Sequence, residues 1–450
     1  MNKKMTTVAL AAMAMALTTS CSTSKKAQNQ VHEGTTSLEA SKGNVENMDP
    51  EYLVLSDAQE AFVKKNNQFA LNFFSQVAGF DSKVISPLSL TYLMGMLANG
   101  ADGQTQQEIL KALGCEGDMT LDELNAFSRS MMQYAAKADP STTVNIANYI
   151  ALNKHYALKN EFAKAVSANY QAGIESLDFS SSKTTAHIND WCKKHTDGMI
   201  PTIIDQVDAN AISYIMNAIY FNGSWEKKFK KSETKLENFR GYTRDIKRVN
   251  MMHRAGKYFF ADNQLFSAIN LPYGNGAYAM TVLLPHEGKS IDEMMKSLDA
   301  EKLAAVSGQM KECVVDLKLP RFTTELELPL NEIVSKLGAP SMFDSGKANF
   351  SKLAEGNVFV SKMLQKAKIE VSEEGTKAAA VTAATVMMTS LQPEPRRVLT
   401  IRNSHLTPQT SRPGTTRAAC RNPNTSNRDF DYAPIRSQKS TVYRNCLQDS

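Results

Sequence analysis

The chain has 450 residues, 42% hydrophobic and 22% charged, a make-up suited to a soluble globular protein with a sizeable core. Its net charge of +5 owes much to arginines spread from Arg396 to Arg444, and the body shows no basic stripe interleaved with aromatics, which argues against nucleic-acid binding. The six cysteines form no CxxC and no Cys/His ligand spacing, so neither a zinc site nor a disulfide framework is indicated.

The chain opens on a targeting segment. Lys3 and Lys4 supply a positive start, and the apolar run over residues 8–17 is too short to span a bilayer. Thr18, Thr19 and Ser20 then lead to Cys21, a pattern that resembles a bacterial lipobox, with Thr18 where that motif usually has Leu. The resemblance implies removal of residues 1–20, lipid on the Cys21 thiol, and a cell-envelope lipoprotein at the outer membrane or cell surface. An ordinary secretory signal, giving an extracellular protein, is the alternative. Residues 21–50 have the polar composition of a flexible tether.

Ser56 with Gln59 has the form of a capping box, and Phe62, Phe69, Phe73 and Val77 follow at helical spacing. Ser86-Pro87 opens a second helix, with Ser as N-cap and Pro at the first helical position. Thr105 with Glu108 reads as another capping box, which makes the body mostly helical to about residue 200. Residues 212–221 are rich in Ile, Tyr and Phe and predict a buried strand. Short apolar runs follow over 258–285, with a turn at Gly274-Asn275-Gly276. Ser290 with Glu293 opens a helix, 313–319 reads as a strand, and 328–337 as a short helix. Helices first and strands later, without βαβ alternation, predict a single α+β domain over residues 51–395.

No GxSxG, HExxH, P-loop or strand-linked GxGxxG is present. The histidines are isolated or, like His187 and His195, too far apart in sequence to suggest a pair by themselves. Glu373 and Glu374 are adjacent, so on a strand they would face opposite sides and could not share acid/base work. Neither a cofactor nor a metal is indicated, and nothing supports an enzyme. A hydrolase with an unrecognised site stays open as a rival.

One segment does carry a mechanism. After Gly375 come fourteen residues with no aromatic and a single charge, Lys377. Such a composition suits an Ala-rich helix or a low-complexity linker, but its Thr and Val residues favour extended structure. At a period of two, one face holds Thr376, Ala378, Ala380, Thr382, Ala384, Val386 and Met388, without charge and small at its leading end. That strip could enter a sheet as a new strand without burying an unpaired charge.

Glu373-Glu374-Gly375-Thr376 followed by Ala378, Ala379 and Ala380 resembles the hinge of an inhibitory serpin's reactive-centre loop. Five further motifs fall in serpin order. They are Val84 to Ser89, Asn217 to Trp225, Leu271-Pro272-Tyr273 with Leu283-Leu284-Pro285, and Leu319 to Phe322 followed by Ala348 to Ser351. The resemblance implies a serpin-like α+β fold with three β-sheets, about nine helices and an exposed reactive-centre loop. Ser86, Ser89 and Asn217 would lie in the shutter through which the main sheet opens. Trp225 would sit in the breach where the loop goes in, and Arg321 would pair with Glu373 there. The family's shutter histidine is replaced by Gln365. Counting from Glu373 as the family does puts the reactive bond at Thr389-Ser390, with Met388-Thr389 as the fallback.

The activity implied is inhibition of a serine peptidase, with a cysteine peptidase as a variant target. The cut loop would insert into the sheet with the enzyme covalently attached. A non-inhibitory binding protein of the same fold is the alternative, disfavoured by the small, uncharged hinge. The resemblance further implies a monomer, with a risk of polymerisation or uncut loop insertion should the family's C-terminal strands be missing. The apolar alternation stops after Ile401, and residues 396–450 are dominated by Arg, Thr, Asn, Ser and Pro. That tail reads as disordered or as the product of a reading-frame change near codon 396, and without the family's C-terminal strands the product could be inactive.

Overall fold

The computed structural model describes residues 53–77, 82–240, 246–376 and 397–400. The export segment with Cys21, the tether, residues 377–396 with the reactive bond, and residues 401–450 lie outside the described residues.

Nine α-helices are present among the described residues: α1 (Asp57–Val77), α2 (Pro87–Gly100), α3 (Gly103–Leu113), α4 (Leu121–Ala135), α5 (Asn160–Tyr170), α6 (Thr184–His195), α7 (Ile291–Ser297), α8 (Ala300–Gln309) and α9 (Asn331–Lys336). The start of α1 follows the sequence signal: the Gln59 N–H donates to Ser56 Oγ at 3.3 Å, and the Ser56 N–H donates to Gln59 Oε1 at 3.2 Å. Phe62, Phe69, Phe73 and Val77 form its buried stripe. Ser86 caps α2 with Pro87 at its first position, and α2 is buried almost all round, which is why its sequence shows no polar face.

Three expectations are corrected. Thr105 is not a cap, because α3 begins two residues earlier behind Asp102. Thr105 is buried, and its Oγ1 accepts from the Asn349 N–H and the Ser341 hydroxyl, while Glu108 accepts from the Ser341 N–H. The first half is also less helical than its capping signals suggest, since it holds β1 (Thr142–Asn153) and β2 (Gly173–Leu177).

The remaining strands are β3 (Ser213–Ser224), β4 (Lys235–Arg240), β5 (Ile246–Asp262), β6 (Phe266–Tyr273), β7 (Tyr278–Pro285), β8 (Lys311–Pro320), β9 (Phe322–Pro329), β10 (Lys362–Val371), β11 (Gly375–Thr376) and β12 (Arg397–Thr400). The apolar stretch that begins at Leu328 is thus the end of β9, and the helix behind it is confined to α9.

The strands form two hydrogen-bonded networks among the described residues. One runs β2-β1-β3-β11-β10-β9, and the other β12-β8-β5-β6-β7 with β4 on β5. The second network holds two groups of strands, because the 17-residue β5 pairs β4 and β8 along most of its length and β6 at its far end. This α+β arrangement of helices around several sheets is the one the sequence implied.

The first sheet is covered on both sides. Ile188 and Cys192 of α6 pack with Tyr149, Met216 and Ala218 on one face, and Ile219, Phe221, Ile369 and Val371 join Trp225 and Tyr273 on the other. Double coverage explains why β3 is apolar along almost its whole length rather than at alternate positions.

Candidate functional site

β3 and β10 run parallel and are direct neighbours where Tyr214 to Ile219 face Lys362 to Ala367. Beyond that stretch they part, and β11 stands between them, antiparallel to both. Thr376 lies opposite Val371 on one side and Gly223 on the other, and Gly375 lies opposite Ser224. The sheet therefore has a seam that is closed along β3 and β10 and already wedged at one end.

The chain reaches that wedge through a tight turn over residues 372–375. The Ser372 N–H donates to the Gly375 carbonyl at 2.8 Å, and the Gly375 N–H returns to the Ser372 carbonyl at 3.3 Å. Only glycine suits position 375: its φ is +152°, and a Cβ there would meet the Gly223 carbonyl oxygen at 2.1 Å.

Trp225 holds the turn from the β3 side. Its indole N–H donates to the Ser372 carbonyl at 2.9 Å, and its backbone N–H donates to the Glu374 carbonyl at 3.0 Å. Its ring stacks on Tyr273 with 4.4 Å between centroids and 13° between planes. The Tyr273 and Thr376 hydroxyls are 2.6 Å apart, so the first loop residue in the sheet meets a buried polar partner.

The two hinge carboxylates have separate surroundings. Glu373 is buried and accepts from the Thr234 hydroxyl at 2.9 Å, and Arg321 Nη1 stands off at 3.9 Å from its other oxygen. Glu374 is partly exposed and takes Lys228 at 2.9 Å and Lys231 at 3.6 Å. The Lys228 hydrogen bond, helped by both lysine charges, holds the Glu374 carboxyl below its ordinary range despite some desolvation.

Deeper along the seam lies a buried polar row. Asn148, Asn217 and Gln365 are in register across β1, β3 and β10. Gln365 Oε1 accepts the Ser86 N–H at 2.8 Å and its Nε2 donates to the Ser86 carbonyl at 2.9 Å, so its amide binds the cap of α2 at both ends. The Ser86 and Ser89 hydroxyls are 2.8 Å apart. Asn217 Nδ2 donates to Asn148 Oδ1 at 2.9 Å, and Asn148 Nδ2 donates to the Tyr170 carbonyl at 3.0 Å.

The sequence pattern of the family described as "Serpin (serine protease inhibitor)" matches residues 64–402. The chain is a serpin. It is 32% identical to Iripin-2 of Ixodes ricinus over 356 residues, covering 76% of this chain and 89% of that protein. With the leukocyte elastase inhibitor of Equus caballus it shares 31% over 345 residues, 73% of this chain and 90% of that protein. Among solved structures it resembles the native state of the thermophilic serpin tengpin, with TM-score 0.71 and 27% identity, over 80% of this chain and 92% of that one.

In this serpin the wedge gathers Glu373, Glu374, Gly375, Thr376, Trp225 and Arg321, and the closed part of the seam gathers Ser86, Ser89 and Asn217 with Gln365. The hinge differs from the expected exposed loop in one respect: Gly375 and Thr376 are already inside the sheet, where Thr376 is 1% exposed. Ala378, Ala379, Ala380, Met388, Thr389 and Ser390 lie outside the described residues. Sequence reasoning gave no site role to Tyr273, Thr234, Lys228 or Lys231. The run Glu226-Lys227-Lys228-Phe229-Lys230-Lys231 beside Trp225 was a usable signal, since so many cations next to an acidic hinge invite pairing.

Proposed function

We propose that this serpin inhibits a serine peptidase as a suicide substrate. The peptidase serine Oγ attacks the carbonyl carbon of Thr389, the Thr389–Ser390 amide bond breaks, and an ester joins Thr389 to the enzyme while the Ser390 amine departs with the proton. The freed strand then enters between β3 and β10 with the peptidase attached. The observation that carries this reading is the wedge: Gly375 and Thr376 stand between β3 and β10 ahead of any cut, antiparallel to both. A strand added behind Thr376 continues the same pairing and gains backbone hydrogen bonds on both sides. The small, uncharged face that begins at Thr376 suits such burial. Export and lipid anchoring at Cys21 would put the activity at the cell envelope.

The test is incubation of the full chain with a panel of serine peptidases. Trapping predicts a complex stable in denaturing gels and a released peptide that begins at Ser390. Cleavage with no complex across the panel would point to the non-inhibitory reading instead.

A further inference from the structure

The seated hinge is also held from outside the seam. The turn between β6 and β7 rests on the segment that joins α4 to β1. Asn275 Nδ2 donates to the Ala138 carbonyl at 2.9 Å, and the Tyr278 hydroxyl donates to the Ala135 carbonyl at 2.8 Å. At Gly274, where φ is +44°, a Cβ would fall 1.9 Å from Asp139 Oδ2 and 2.3 Å from the Ser141 hydroxyl oxygen. The backbone of the turn is thus pressed against the Asp139 carboxylate, which only glycine allows.

Asp139 is 2% exposed, and its carboxylate accepts three hydrogen bonds. The Ser141 N–H and hydroxyl donate to Oδ1 at 2.9 and 2.8 Å, a local arrangement that closes the loop on itself. The Thr142 hydroxyl donates to Oδ2 at 2.6 Å, and this is the same oxygen that Gly274 presses on.

Followed outward, the two contacts at Oδ2 meet again at the hinge. Thr142 opens β1 opposite Gly223 of β3, and Gly223 stands opposite Thr376 on its other side. Gly274 follows Tyr273, whose hydroxyl lies 2.6 Å from that of Thr376. The Gly274 N–H also donates at 2.9 Å to the carbonyl of Ser224, the residue opposite Gly375. Thr376, Tyr273, Gly274, Asp139, Thr142 and Gly223 therefore form a closed ring, with Asp139 on the far side of it from the hinge.

We infer that Asp139 is a positioning residue for the hinge. It fixes the spacing between the β6–β7 turn and the first residue of β1, and so holds Tyr273 and Gly223 where they seat Thr376. A buried carboxylate suits the task, because hydrogen bonds to a charged acceptor are stronger than neutral ones and three donors set its place. In the trapping reaction Asp139 sets how firmly the start of the loop is held. The inference rests on that reading only for this consequence, since seating can be measured without a peptidase.

Hydrogen exchange of the full chain reads the seat at two amides, Thr376 in β11 and Trp225, whose N–H donates to the Glu374 carbonyl. Asp139→Ala should speed both by about fivefold or more, the order expected when buried donors lose their acceptor. Asp139→Asn keeps an acceptor for Ser141 and can donate to the Thr142 hydroxyl oxygen, so it should bring both rates back to within about twofold of the parent. Thr142→Val keeps the β-branch and cuts only the bond at Oδ2, and should speed the same amides about threefold. If Asp139→Ala does not fold, Thr142→Val decides alone. Ile109→Val, in the buried face of α3, lowers the melting temperature without touching the ring and should leave both amides at the parental rate. Parental exchange at Thr376 and Trp225 in the deciding variant overturns the inference. Equal speeding in Ile109→Val overturns it too, because the effect would then be one of overall stability. Either failure leaves trapping to its own test, and a peptidase panel without complexes leaves the exchange result for Asp139 standing.

Discussion

The hydroxyls of Tyr273 and Thr376 lie 2.6 Å apart, both buried at the point where the hinge joins the sheet. Burial pushes the Tyr273 phenol above its ordinary range and the Thr376 hydrogen bond lowers it less, so the ring stays neutral across physiological pH. Tyr273→Phe keeps the stack on Trp225 and strands the Thr376 hydroxyl. The loss should weaken the seating of β11 by about 1–3 kcal/mol. Hydrogen exchange of the Thr376 amide should accelerate about fivefold or more, while protection in β1 stays as in the parent. Unchanged exchange at Thr376 would show that the hydroxyl pair does not hold the hinge.

Gly375→Ala tests the backbone of the wedge. Its Cβ would collide with the Gly223 carbonyl oxygen and with Ser224 Cα at 2.8 Å, neither of which can swing aside as a side chain could. The φ of +152° adds strain for any L-residue. The substitution should destabilise the seated hinge by more than ~1 kcal/mol and drive Gly375 and Thr376 out of the sheet. Limited proteolysis should then cut at the hinge several-fold faster than in the parent, and equal cutting rates would refute the wedge.

Glu374 makes the hinge sensitive to acid. Lys228 and Lys231 depress its folded pKa below the ordinary value of 4.5, so the pair stabilises the hinge above that value. The contribution is lost as pH falls through the depressed pKa. Because both lysines are largely exposed, the effect is screened and should stay under ~1 kcal/mol. Hinge protection, corrected for intrinsic exchange, should weaken as pH drops below the ordinary carboxylate range in the parent, and less in Glu374→Gln, whose hinge should be looser already at pH 7. A parent and a variant with the same pH profile would remove Glu374 from the account.

Gln365 is the bolt of the closed seam. Gln365→Ala leaves the Ser86 N–H and carbonyl without their side-chain partners and opens a small cavity, a loss of about 2–4 kcal/mol. The uncut variant should melt lower than the parent and insert its uncut loop or polymerise faster on warming, as native gels would report. A melting temperature equal to the parent's would mean that Ser86 finds other partners.

Cys21→Ala bears on the proposed anchor. The change should abolish labelling by a radioactive fatty acid and release the protein from membrane fractions, and labelling that survives it would exclude Cys21 as the lipid site.

The sequence by itself determined the family and the α+β class, because these are written in contiguous residues. Trp225 lies at the end of a motif that is also β3, and the period-two face behind Thr376 needs only the alternation of a strand. Capping at Ser56 and Ser290 was equally local, whereas the same logic failed at Thr105, where contacts from Ser341 and Asn349 claim the side chain. β1 was hidden because Asn145 and Asn148 interrupt its apolar run, and Asn148 is tolerated only because Asn217 and Tyr170 satisfy it. Tertiary structure alone decided that the hinge is already seated, that Glu374 belongs to Lys228 and Lys231, and that Asn217 Oδ1 has no hydrogen-bond partner among the described residues. Each of these depends on which strands are neighbours and in what register, and register is set by packing between segments far apart in the chain, which no local pattern records.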